Sequence, residues 1–286
     1  MSSSNLQIRE YRATFGISGA KRALLEIFAQ HRQSLQIGWM FFLRELRASV
    51  RLSFLGIFWL LAPVVANSLV WVFLSSNGIV QIADSGVPYA LFAFIGNIVW
   101  TATTNSFIGG LNLLHEARGV LSKVNFPSES LAVIVLLRSS FNAVLATILL
   151  IPLLCFFPVA LTWQALLLVP CILAGVVTGL AAGLLFLPVA GLISDLSRLA
   201  QLLIRFLFFL APVVFPIPES GTAAILMKLN PVTPFLVTSR AVLIGGETPM
   251  WSSVLGLTGV AIVSLSVSLV VLKMVLPLFI ERLEGT

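Results

Sequence analysis

Five arginines have a type and spacing suited to binding an anion. Arg138 and Arg205 each lie about seven residues inside a long apolar stretch, roughly 10 Å along a helix from its polar end. An arginine there costs up to a few kcal/mol unless its side chain snorkels to the polar end or meets an anion. Arg44, Arg47 and Arg51 are spaced i, i+3 and i+7, which aligns them on one side of a helix. We predict that these five residues contact lipid headgroups or a lipid pyrophosphate; the alternatives are snorkelling for the first two and a solvated basic face for the other three.

No set of residues in the sequence is suited to catalysis. The two histidines, His31 and His115, are far apart, and no HExxH, GxSxG or Walker GxxxxGK[ST] pattern occurs. Cys155 and Cys171 stand in apolar surroundings without CxxC spacing, which is typical of small core residues. The chain is therefore predicted to be no enzyme, to bind no cofactor or metal itself, and not to hydrolyse ATP alone.

Composition indicates that lipid surrounds most of these residues. Of 286 residues, 58% are hydrophobic and only 10% are charged, whereas soluble domains carry about 25% charged residues. Apolar stretches of about 20 residues, each able to cross a bilayer, fill most of the sequence. Because lipid offers no partners for free backbone groups, the spans must be helical. The predicted fold class is an all-α polytopic membrane protein.

Six transmembrane helices are predicted. They cover residues 52–74, 88–114, 131–158, 164–193, 199–216 and 251–276. The second is unusually polar, which indicates that it faces either the bundle interior or a water-filled path. The fourth contains a series of glycines that permits close helix contact: Gly175, Gly179, Gly183 and Gly191.

The segments outside the spans complete the predicted architecture. Residues 21–35 have the pattern of an amphipathic helix on the membrane surface. Residues 218–250, which we name the outer segment, are too short to cross and return as two full helices, so they favour a pair of short re-entrant helices. The resulting domains are a cytoplasmic N-terminal segment (1–51), a transmembrane domain (52–276) and a cytoplasmic tail (277–286).

The distribution of basic residues predicts the orientation. Eight of the 17 Lys and Arg lie in residues 1–51 and none lies in residues 75–87, so both termini should be cytoplasmic. Lys228 and Arg240, in the outer segment, run against this rule. The net charge of +6 indicates contact with anionic lipid rather than nucleic acid. No cleavable signal peptide is apparent in residues 1–20.

Four stretches of the chain resemble the permease subunits of type-2 ABC exporters for polysaccharides, the family that moves O-antigen, capsular polysaccharide and teichoic acid. RELRASVRLSFLGIFWLLAPV (44–64) is similar to the family's basic segment with LGxxW and a proline, and KVNFPSESL (123–131) to its FPxE loop. ISDLSRLAQLLIRFLFFLAPVVFP (193–216) is similar to its polar break and F-L-S-P-V run, with Ala211 in place of serine. LNPVTPFLVTSRAVLIGG (229–246) is similar to its NPxT segment.

The resemblance, which covers about residues 30–283, implies a homodimer in the bacterial cytoplasmic (inner) membrane, bound to two copies of an ABC ATPase subunit that carries ATP and Mg. The homodimer would form a channel for an undecaprenyl-linked polysaccharide. Residues 115–127, which we name the coupling segment, would dock on the ATPase. The implied contact residues are His115, Glu116, Arg118, Lys123, Phe126 and Pro127. The outer segment, with Asn230 and Pro231, would form an outer gate.

Other functions fit the sequence less well. A type-2 permease for a lipid or drug is the alternative, but such proteins often carry a large external domain, for which residues 75–87 leave no room. An intramembrane transferase needs acidic or His residues within spans, whereas all 11 Asp and Glu stand in loops, ends or breaks. The same absence argues against a proton-coupled channel or transporter, and inverted repeats are not evident.

Overall fold

A computed structural model describes residues 17–51, 56, 58–79, 88–121, 127–157, 159, 161–248 and 250–284. All regular structure within these residues is helical. The α-helices are α1 (Ile17–Arg51), α2 (Phe58–Ser76), α3 (Tyr89–Leu121), α4 (Glu129–Ile148), α5 (Leu150–Phe156), α6 (Leu168–Leu192), α7 (Ser194–Phe209), α8 (Thr222–Leu229), α9 (Thr233–Ile244) and α10 (Trp251–Glu284). A short 3-10 helix, Trp163–Leu167, leads into α6.

Five stretches of helix in the described residues are long and apolar enough to cross a membrane. They are Phe58–Ser76, Tyr89–Ala117, Glu129–Phe156, Trp163–Gly191 and Trp251–Leu276. Each overlaps one of the predicted spans, so the all-helical class and five of the six spans agree with the structure.

The predicted fifth span, 199–216, has no helix of that length. α7 has 16 residues and is therefore about 24 Å long, short of the roughly 30 Å of hydrocarbon. It begins with the polar residues Ser194 and Asp195 and ends before Pro212, which has no backbone N–H to continue a helix. Six full spans are thus not confirmed: this element is a shorter, amphipathic helix.

The N-terminal helix is longer than predicted. α1 is continuous over 35 residues, whereas the sequence indicated an amphipathic helix over residues 21–35 only. Its buried side faces α4 and α10, and large apolar side chains remain exposed on the rest of its surface: Leu24, Leu25, Phe28, Leu35, Trp39 and Met40. Its location on a membrane surface stays a prediction.

The predicted pair of short helices in the outer segment is present as α8 and α9, although their entry into a bilayer from one side stays a prediction. At the other end of the chain, α10 continues without a break past residue 276 to Glu284. The predicted boundary between the transmembrane domain and the tail is therefore not a boundary between elements.

α3 is the centre of the bundle. In its most apolar stretch 78% of residues are buried, compared with 17% for α2 and 22% for α10. The buried apolar side chains of the described residues form two clusters along it, one containing Leu91 and Ile95 with Phe235 of α9, the other Leu114 with Leu272 of α10.

The polar side chains of α3 mostly face the bundle interior. Asn97, Thr103, Thr104 and Ser106 are buried, which favours the interior over a water-filled path for these four. Asn97 also joins α2 to α3, because its side-chain oxygen accepts a hydrogen bond of 2.6 Å from the Asn67 amide. Since lipid supplies no competing partners, such interhelical hydrogen bonds hold helices in register.

The glycines of α6 allow α3 to approach closely. A β-carbon built on Gly179 would lie 2.1 Å from the carbonyl oxygen of Thr103, and one on Gly183 would lie 2.1 Å from that of Phe107. Real β-carbons essentially never come within 3.0 Å of a heavy atom from another part of the chain. The predicted close helix contact is confirmed at Gly179 and Gly183, while for Gly191 it stays a prediction.

We expect Gly179→Ala to lower the free energy of unfolding by about 1–3 kcal/mol, because the methyl group would force α3 and α6 apart. Thermal unfolding of the purified chain in detergent measures the change. Gly256→Ala on α10 is the matched control, since no atom lies within 4 Å of the added β-carbon and alanine favours the helix. Equal melting temperatures for the two variants would contradict this packing.

Candidate functional site

The coupling segment begins within α3, because residues 115–121 form the last two turns of that helix. Its last residue, Pro127, lies two residues before Glu129, where α4 begins. His115 Nε2 lies 3.4 Å from the carbonyl oxygen of Ala190 on α6, and Glu116 is held by Arg138 of α4. Pro127 is buried immediately before α4. Lys123, Phe126 and the side chain of Arg118 lie outside the described residues. Contact between these six residues and an ATPase stays a prediction.

Arg138 lies between two carboxylates. Its Nη2 donates to Glu116 Oε2 at 2.9 Å, and its Nη1 lies 3.9 Å from Glu45 Oε2 on α1. The Arg138 side chain is 36% exposed, so each pair contributes at most about 1 kcal/mol to stability. The three side chains carry a net charge of −1, which opposes the approach of a phosphate or other anionic ligand. Arg138 therefore has neighbours that its position in the sequence did not indicate.

The other predicted arginines are exposed. Arg44, Arg47 and Arg51 lie on the last turns of α1, and the guanidinium carbon of Arg44 lies 5.6 Å from the centre of the Phe41 ring. Arg205 is exposed on α7, which packs on α3 and α6. A shared phosphate ligand for these residues and Arg138 stays a prediction.

Asn230 shapes the turn between α8 and α9. Its side-chain oxygen accepts a hydrogen bond of 3.0 Å from the backbone N–H of Val232, and its amide donates to the carbonyl oxygen of Leu210 at 3.4 Å. Pro231, beside it, is exposed. The NPVT turn thus links both short helices to the end of α7, while its role as a gate stays a prediction.

Arg240 is a buried cation whose role the sequence did not indicate. Its guanidinium donates to the carbonyl oxygens of Phe92 (3.1 and 3.2 Å), Pro212 (2.6 Å) and Val213 (2.5 Å). Its central carbon lies 3.5 Å from the centre of the Phe92 ring. Among the described residues no carboxylate pairs with it, so carbonyl dipoles and the negative face of the ring balance its charge.

The place of Arg240 depends on a glycine one helical turn after Phe92. A β-carbon on Gly96 would lie 2.1 Å from the carbonyl oxygen of Val213 and 2.3 Å from Arg240 Nη2. The one signal in the sequence was that Arg240 runs against the positive-inside rule. Its burial accounts for that exception, since a side chain enclosed by carbonyls does not act as a free surface charge.

Lys273 and Glu129 form a part-buried ion pair that sequence reasoning also missed. Lys273 Nζ lies 3.0 Å from Glu129 Oε1 and 3.3 Å from Glu26 Oε2, and the Lys273 and Glu129 side chains are 13% and 5% exposed. The available signal was a lone lysine inside the sixth predicted span, which requires a partner. Glu129 was assigned to the segment before a span; it is instead the first residue of α4 and buried.

No cluster of His, Cys, Asp or Glu in the described parts of the chain could hold a metal ion.

We expect Arg240→Met to lower the free energy of unfolding by about 3 kcal/mol, because the backbone carbonyls of Pro212 and Val213 lose their side-chain donor while buried. Thermal unfolding in detergent and hydrogen exchange of residues 211–216 measure the effect. Lys228→Met is the matched control, since Lys228 is exposed on α8. Unchanged exchange at 211–216 in the Arg240 variant would contradict the assigned role.

Comparison with known proteins agrees with the four motifs. No protein-family model matches the chain. The chain is 26% identical over 226 residues to the O-antigen export system permease protein RfbA of Myxococcus xanthus, an alignment that covers 78% of this chain and 85% of the relative. Together with the five apolar helices, this similarity identifies a multi-pass membrane protein, related to the permease subunits of type-2 ABC exporters for polysaccharides.

Proposed function

We propose that this chain is the transmembrane subunit of an ATP-driven exporter that moves lipid-linked polysaccharide out of the cytoplasm across the cytoplasmic membrane. The observation that carries the proposal is the similarity to an O-antigen export permease over most of both chains. Since the chain has no nucleotide-binding motif, a separate ABC ATPase subunit, in two copies with ATP and Mg, would drive the transport. Both termini would be cytoplasmic, and the substrate would be an undecaprenyl-linked polysaccharide.

The surface of α7 supports a homodimer with a central channel. Among its described apolar side chains Phe208 alone is buried, whereas Leu199, Leu202 and Phe206 are exposed. Arg205 is exposed on the same helix. A helix that exposes both apolar and charged side chains at membrane depth is poorly suited to lipid on every side. In the proposed dimer the apolar surface packs against the second copy and the polar surface lines the channel.

Aromatic side chains join α7 to α2 beside this surface. The Trp71 ring centre lies 5.3 Å from that of Phe215 and 6.3 Å from those of Phe208 and Phe209. Phe209 is 55% exposed. Sugar rings present apolar C–H faces, so an exposed aromatic edge along the proposed channel would provide a weak, repeated contact suited to a long glycan.

The contacts of Arg138 sharpen the proposal for the arginines. Because two carboxylates already surround Arg138, we assign the principal phosphate contact to Arg44, Arg47 and Arg51, which are exposed together at the end of α1. Each basic residue near an anionic surface contributes about 1 kcal/mol to attraction. Arg205, on α7, would meet the substrate within the channel.

We expect the chain to co-purify with an ABC ATPase subunit, and Phe126→Ala to weaken that association, because a buried aromatic anchor typically dominates a small docking surface. Co-expression followed by affinity purification of the chain measures the bound ATPase. Phe156→Ala, which truncates an 81% exposed phenylalanine at the end of α5, is the control and should bind normally. A wild-type chain that never binds an ABC ATPase, and supports export without ATP, would refute the proposed function.

We expect the double substitution Arg44→Gln with Arg47→Gln to reduce export by about tenfold or more, since two phosphate contacts of about 1 kcal/mol each are removed. The measurement is the amount of polysaccharide on cells in which the variant is the sole copy, at equal membrane levels. Arg32→Gln, an exposed arginine earlier on α1, should leave export near normal. Equal export by the double variant and this control would contradict the assignment.

A further inference from the structure

Two clusters of charged side chains link α1 to the bundle, one on each side of the point where α1 crosses α4. At the crossing, a β-carbon on Gly38 would lie 2.5 Å from Val133 Cγ1 and 3.3 Å from the carbonyl oxygen of Ser130. Before it along α1, Glu26 meets Lys273 of α10. After it, Glu45 lies beside Arg138 of α4. α1 is therefore held at three positions rather than resting loosely on the surface of the bundle.

The same two clusters hold both flanks of the coupling segment. Glu116, at its start, accepts a hydrogen bond from Arg138, and Glu129, two residues after its end, pairs with Lys273. Each cluster joins three helices: α1, α3 and α4 in one, and α1, α4 and α10 in the other. A displacement of the coupling segment therefore acts on α1 at two points and on α10 at one.

The Lys273 cluster is the stronger of the two links. The Lys273 and Glu129 side chains are 13% and 5% exposed, while those of Arg138 and its partners are at least one-third exposed. Glu129 Oε2 is buried without a hydrogen-bond partner, so the attachment of this carboxylate relies on the 3.0 Å contact of Oε1 with Lys273. A buried charge that loses its partner is strongly unfavourable, and the three elements are therefore expected to move together rather than separate.

We propose that Lys273 is a positioning residue for energy coupling: by holding Glu129 and Glu26, it makes the start of α4, α1 and the end of α10 respond as one unit when the coupling segment moves. This role rests on the proposed function, because it requires an ATPase that displaces the coupling segment. It extends the path of the displacement to the last span. Among the described residues no ion pair joins the coupling segment directly to α10, and the pair of Lys273 with Glu129 links α10 to the start of α4.

The test compares wild type, Lys273→Arg, Lys273→Met and the double variant Lys273→Met with Glu129→Gln. The double variant removes both charges, so it avoids the lone buried carboxylate that the single Lys273→Met leaves behind. Lys21→Met is the matched control, because it makes the same lysine-to-methionine change at an exposed position of α1. Each full-length chain is studied in complex with its ATPase subunit.

Two activities are measured for each variant and compared with wild type. MgATP hydrolysis is assayed in lipid nanodiscs, and export is assayed as surface polysaccharide on cells in which the variant complex is the sole exporter. We expect the double variant to hydrolyse ATP within about twofold of wild type while its export falls about tenfold, a size typical of coupling between linked sites. Lys273→Arg should keep at least half of the export, since it retains the charge, and the Lys21→Met control should behave as wild type.

Hydrogen exchange separates coupling from plain stability. In wild type, ATP with vanadate should change the exchange of both the start of α4 and residues 265–276 of α10; in the double variant the change in α10 should be lost. A double variant that exports normally for each ATP hydrolysed, or that keeps the α10 response, overturns this role while the proposed function stands. A wild-type complex whose export does not depend on ATP overturns the proposed function and this role with it.

Discussion

The close approach of α3 and α6 is the contact on which the other functional contacts depend. With glycine at 179 and 183, the two backbones meet at the carbonyl oxygens of Thr103 and Phe107, and α3 is thereby fixed along its length. Its remaining surface then sets the neighbours of the other elements: Phe92 and Gly96 receive Arg240, Asn97 binds α2, and Glu116 receives Arg138. A shift of α3 of even a fraction of a helical turn would separate these partners together.

A second constraint is that lipid cannot solvate a charge, so each cation in the bundle must find its partners within the protein. Arg240 uses three backbone carbonyls and an aromatic ring, Lys273 uses two carboxylates, and Arg138 uses two carboxylates near the surface. These partners differ in how freely they can move. Backbone carbonyls are fixed by the chain, whereas glutamate side chains can rotate and follow a moving partner.

The parts of this structure that repeat along the chain were predictable, and those that join distant residues were not. Apolar length predicted six spans, five of which agree with long apolar helices. The spacing of glycines in residues 175–183 predicted a close helix contact, and in the structure the partner is α3. The predicted fifth span ran past the end of α7, because apolar residues continue beyond Pro212 to residue 216. Composition alone does not show where the helix ends. Arg240 meets Phe92 across 148 residues and Lys273 meets Glu129 across 144; one sequence contains no periodicity that pairs residues so far apart.

The two kinds of charge partner suggest a division between the ends of the bundle. Around Arg240, bending of the outer segment would draw the guanidinium away from the carbonyls of Pro212 and Val213 and leave them buried without a donor, which is costly. A movement of α9 together with the 211–216 turn and the start of α3 keeps every one of those bonds. Around Lys273 and Arg138, by contrast, long side chains span the joints between helices and tolerate small rotations. The ion pairs on the α1 side of the bundle can therefore be kept through small rotations and carry a displacement from one helix to the next, whereas the Arg240 contacts are kept only when α9, the 211–216 turn and the start of α3 move together.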